Sequence, residues 1–126
     1  MSDLRIRVID HGVTELDFDV MGAARPFLRS AGIYDELCSH VGRAGKLVRL
    51  KGFDENPDGE LPTPGPLSLA IDRVARYPKH FMALCRDEES SDMDAIERYA
   101  TILGALCQLR EACATYPNAT VEITKQ

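Results

Sequence analysis

Few residues in this chain have side chains able to do chemistry, and they are spread along it. Asp10 and His11 stand side by side ahead of Gly12, an order in which a carboxylate could orient an imidazole for proton transfer. The same order also suits a plain turn, where the aspartate bonds its own backbone and the histidine is solvated. Cys85 follows Lys79 and His80 and precedes Arg86. Neighbouring cations lower a thiol's pKa and make it nucleophilic, although a small buried core residue has the same surroundings in sequence. His80 also ends a basic stripe of Arg73, Arg76 and Lys79, which suits an anion or the wet side of an ordinary helix. Asp10, His11, His80 and Cys85 are therefore weak catalytic candidates, and an active site requires at least two of them to meet in one cleft. No residue earns a catalytic role from sequence alone.

Metal ligation finds less support. Residues 54–59, DENPDG, open like a calcium loop, but the twelfth position, where a bidentate glutamate belongs, is Gly65, and prolines fall at 57, 62 and 64. An acidic turn is the simpler reading. Cys38 and His40 are two residues apart, so on a helix they point in opposed directions, and Cys107 and Cys113 also diverge. Glycine-rich phosphate loops, GxSxG and HExxH are absent. No metal and no cofactor is expected.

Composition narrows the class. The 126 residues suit a single domain, 1–126, with a real core. Cys38, Cys85, Cys107 and Cys113 all lie in apolar contexts without a CxxC pair, as reduced thiols of a cytoplasmic protein would. The opening MSDLRIRVID lacks the apolar centre of a secretory signal. No run approaches the roughly 20 apolar residues of a membrane span, so the expectation is a soluble chain with no membrane partner. A net charge of −5 disfavours nonspecific nucleic-acid binding. The charge is also blocky: basic Arg43, Lys46, Arg49 and Lys51, then acidic Asp54, Glu55, Asp58 and Glu60, then Asp87, Glu88, Glu89, Asp92 and Asp94.

The elements that must position these groups follow from periodicity. Leu4, Ile6 and Val8, then Leu16, Phe18 and Val20, alternate with charged residues around Asp10-His11-Gly12, which predicts a β-hairpin with one buried face. Pro26 opens a helical stripe of Phe27, Ala31, Tyr34, Cys38 and Val41, interrupted by Gly32, where a kink or two shorter helices would fit. Residues 47–51 read as a strand. Residues 54–66, with four prolines and two glycines, read as a flexible loop suited to recognition. A helix begins at Pro66, carries Leu67, Ala70, Ile71 and Val74 inward, and breaks or kinks at Pro78; FMALC, residues 81–85, leans to helix. Asp92 to Ala114 is the longest helix, started by Ser91 or Asp92 and stopped at Tyr116-Pro117. Its apolar arc exceeds the roughly 100° stripe of a surface helix, so it packs on two sides or meets a second chain. Thr120 to Thr124 closes the chain as a strand.

The order ββαβααβ predicts an α+β two-layer sandwich, a mainly antiparallel sheet of about four strands with helices on one face. For function, charge blocks and a proline-rich loop favour a small acidic protein-binding module, a regulator or inhibitor of a basic partner. Its contact residues would be Asp54, Glu55, Asp58, Glu60, Pro62, Pro64, Asp87, Glu88 and Glu89. The alternatives are a small enzyme or ligand-binding domain with a pocket between sheet and helices, and a structural subunit that forms a homodimer through helix 92–114.

Overall fold

Alternation in the first twenty residues becomes a hairpin of β1 (Leu4–Asp10) and β2 (Val13–Val20), paired antiparallel with Asp10 opposite Val13. Its two-residue turn places both His11 (φ 50°) and Gly12 (φ 79°) in the left-handed region, which matches the twist of a tight hairpin. The computed structural model describes residues 4–20, 24–39, 48–49, 53–57 and 64–125. After the hairpin come α1 (Arg25–Ala31), α2 (Tyr34–Ser39), β3 (Val48–Arg49), α3 (Pro66–Arg76), α4 (Pro78–Leu84), α5 (Asp92–Thr115) and β4 (Thr120–Lys125).

The chain is α+β, with an antiparallel sheet and, among the described residues, five helices. The sheet runs β2-β1-β4, and the two residues of β3 pair with the outer side of β4. Ile6, Val8, Val121 and Ile123 are buried on one face and join the helices in one apolar cluster. On the other face Arg5 forms a two-pronged pair with Asp17 of β2, at 3.0 and 2.8 Å, while Arg7 reaches Glu122 of β4 at 2.6 Å. The Arg5 hydrogen bonds hold the Asp17 carboxyl below its ordinary value. Such exposed pairs add little stability, but they help fix the register.

Two helical segments divide at the positions where the sequence allowed a break. Gly32 (φ 85°) ends α1, with Gly32 N–H donating to Arg29 O and Ile33 N–H to Leu28 O, a Schellman stop that only a left-handed residue completes cheaply. Pro78 excludes a helical Tyr77, so α3 ends there and α4 restarts, carrying Phe81 to Leu84 as helix. The expected order ββαβααβ is therefore corrected to ββααβαααβ.

The longest helix packs its inner face fully. Ala95, Ile102, Leu106, Leu109, Ala112 and Cys113 are buried, and the Tyr99 hydroxyl donates to Val74 O of α3. Ser91 caps it through a capping box: Asp94 N–H donates to Ser91 Oγ, and Ser91 N–H donates to Asp94 Oδ2.

Candidate functional site

The expected contact residues divide into two environments. Asp54, expected on an exposed binding loop, is instead 1 % exposed. Gly65 precedes α3 and has no side chain to cap it, and Pro66 has no N–H to offer. The Asp54 carboxylate comes in from elsewhere in the chain, accepting from the buried Ser68 Oγ at 2.6 Å. Its second oxygen, Oδ1, has no hydrogen-bond partner among the described residues and lies against Gly65, where an added Cβ would overlap it. The Cys113 thiol is pushed up to about 12, mainly by burial and secondarily by the Asp54 charge. Asp54 is thus a structural acid, and the calcium-loop reading loses its first ligand to the protein itself. Glu55 is exposed and Pro64 half-buried; Asp58, Glu60 and Pro62 lie outside the described residues.

The second environment is the connection between α4 and α5. Arg98, on the second turn of α5, donates from one nitrogen to Cys85 O at 2.8 Å, to Ser90 Oγ at 2.9 Å and to Asp87 Oδ2 at 3.4 Å. Asp87 in turn accepts from Ser90 Oγ at 2.6 Å and from Glu89 N–H at 3.0 Å. These bonds, led by that of Ser90, hold its carboxyl below the ordinary value. Asp92 pairs with Arg86 at 2.7 Å, and Asp94 is spent on the cap. Glu88 and Glu89 are exposed, and neither side chain forms an ion pair among the described residues. The connection is consequently ordered around Arg98 while two carboxylates stay in water.

The four weak catalytic candidates do not share a cleft. Asp10 Oδ1 lies 3.8 Å from His11 Nε2, but His11 is 90 % exposed at the tip of the hairpin, where nothing excludes water. His80 Nε2 is taken by Ser30 Oγ of α1 at 2.8 Å. Cys85 lines a cavity of about 80 Å³ with Ala24, Phe27, Leu84, Arg86, Asp87, Arg98 and Ile102, and none of the other three candidates borders it. Burial raises the Cys85 thiol more than the Arg98 charge lowers it.

Among the described residues, no three His, Cys, Asp or Glu side chains gather as a metal site. None of the helices there is long and apolar enough to cross a membrane. Arg98, Ser68 and Ser90 are the residues the sequence reading missed. Arg98 alone had a signal, a basic residue one turn above an acidic connection. Comparison with known proteins finds no matching family model, no matching curated protein and no matching solved structure.

Proposed function

We propose that this chain is a small protein-binding module that acts as a regulator or inhibitor of a partner with a basic surface. Its two-layer arrangement of sheet and helices, with about four strands, serves as a rigid support for an acidic contact surface. The observation that carries the reading is the Arg98-centred connection, which orders residues 85–91 yet leaves the Glu88 and Glu89 side chains exposed and without an ion pair among the described residues. A preordered anionic surface loses little side-chain freedom on binding, and it raises the association rate of a cationic partner more than it raises affinity. Self-association through residues 92–114 belongs to the same proposal, because α5 keeps apolar side chains in water after its inner face is packed.

The test is capture from the native host's extract on the immobilised chain. Basic proteins are expected to be retained at low salt, released by high salt, and lost with a Glu88→Gln, Glu89→Gln double variant. An empty column at low salt, or equal retention by the variant, would refute the acidic-surface reading.

A further inference from the structure

Once its inner face is packed, α5 still carries Met93, Ile96, Ala100, Leu103 and Cys107 at steps of three, four, three and four, with Arg110 three further on. Met93 is 73 % and Ile96 46 % exposed; Ala100 is exposed, and Leu103 and Cys107 are only partly covered. This spacing is the seam of a coiled coil, the a and d positions that face a second helix. It is distinct from the buried row of Ala95, Ile102, Leu106, Leu109 and Cys113. A Cβ added at Gly104, which flanks the seam, would meet nothing within 4 Å, so another helix has room to come close.

Resting on the self-association reading above, we infer that the occupant of this seam is a second copy of the chain lying antiparallel, with a two-fold axis between Thr101 and Ile102. In that register Ile96 faces the partner's Cys107, Leu103 faces the partner's Ala100, and Met93 meets the stem of the partner's Arg110. Each layer sets a large side chain against a smaller or flexible one. The charges agree as well. Arg110 is half-buried beside an apolar strip and has no ion-pair partner among the described residues. The antiparallel register brings its guanidinium to the acidic end of the other helix, where Glu97 flanks the seam and is exposed. A parallel pair would instead oppose Leu103 to Leu103, Arg110 to Arg110 and one acidic end to the other. Antiparallel packing also sets each helix's positive end beside the other's negative end.

Two measurements on the full chain separate self-association from its register. In sedimentation the native chain is expected to reach dimer as concentration rises. Ala100→Glu, at an exposed position that leaves the core untouched, weakens association about ten-fold or more with an unchanged circular dichroism spectrum. A monomer at every concentration would end both readings. For the register, Ile96→Cys is treated with diamide, which accepts the two electrons and two protons released as a disulfide forms. Peptide mapping is expected to show the new thiol bridged to the partner's Cys107, and the bridge is lost when Cys107→Ser is added. The native chain should give no such bridge, because its two Cys107 residues lie eleven residues apart along the seam, about 16 Å against the roughly 7 Å Cα limit of a disulfide. A dimer in which the native chain bridges Cys107 to the partner's Cys107 would keep self-association and overturn the antiparallel register.

Discussion

The amino-terminal ends of α3 and α5 both gather carboxylates, and they use them in opposite ways. At α3 the N-cap is a glycine, and the acid that serves the helix end, Asp54, comes from outside the helix and is sealed from water with Ser68. At α5 the cap is local, Ser91 with Asp94, and the surrounding Asp87, Glu88, Glu89 and Asp92 stay in solvent. Both put negative charge near the positive end of a helix dipole, but only the α5 arrangement caps backbone N–H groups, since at α3 Asp54 accepts from the Ser68 hydroxyl. The first commits its acid to folding, since a buried carboxylate cannot meet a partner. The second needs only one serine and one aspartate for the cap, which leaves the remaining charge in solvent.

The largest effect is expected at the buried end. Gly65→Ala places a Cβ on Asp54 Oδ1, and the carboxylate that would have to move is buried. Overpacking of this kind costs about 1–3 kcal/mol, read as a lower midpoint in chemical denaturation. Because the severe overlap is with the Asp54 side chain, and the Asn56 backbone nitrogen lies farther off at 3.2 Å, the same substitution in an Asp54→Ala background should cost less. Equal costs in the two backgrounds would break the comparison by showing that the glycine is needed for some other reason.

A smaller loss is expected at the open end. Arg98→Leu removes the bonds to Cys85 O, Ser90 Oγ and Asp87 while keeping the aliphatic stem, and hydrogen bonds of this type contribute about 1–2 kcal/mol in net terms. The distinguishing readout is local. Amide exchange should quicken across residues 86–90 and stay unchanged across 64–70. A uniform increase at both would mean that the two helix ends share one cooperative unit.

Much of the fold was legible because it depends on local patterns: period two in β1 and β2, the Ser91 cap, and the stops imposed by Gly32 and Pro78. The candidate site was less legible, because burial is a property of the tertiary structure. DENPDG and DEES are equally acidic as strings, and nothing local distinguishes Asp54, which is enclosed through a contact with Ser68, from Glu88, which is not. Arg98 was hard to find for the same reason, since its three acceptors lie eight to thirteen residues back along the chain. Cys85 shows the same limit. Its basic neighbours in sequence made it a weak candidate beside the plainer reading of a core residue, and its burial, which raises the thiol, is again tertiary.

The smallest effect sharpens the comparison through pH. In the folded chain Asp87 is held below the ordinary aspartate value, chiefly by the Ser90 hydroxyl, and Asp94 below the same value, chiefly by the Ser91 backbone N–H. A carboxyl depressed in the folded state stabilises fully above its unfolded pKa. As pH falls below about 4, the unfolded chain takes up protons first, and stability is lost until the folded carboxyls protonate in turn. Asp17, depressed by Arg5, contributes to the same acid limb, so the whole curve does not isolate the α5 end. The difference between the native chain and Ser90→Ala does, because that variant removes the main cause of the Asp87 depression and leaves Arg5, Asp17 and the α3 end untouched. The two melting curves should lie apart by a constant amount above about pH 5 and converge as the pH is lowered. A gap that stays constant into acid would mean that Ser90 stabilises through the bonds it accepts from Arg98 and the Asp87 N–H, and not through the Asp87 carboxylate.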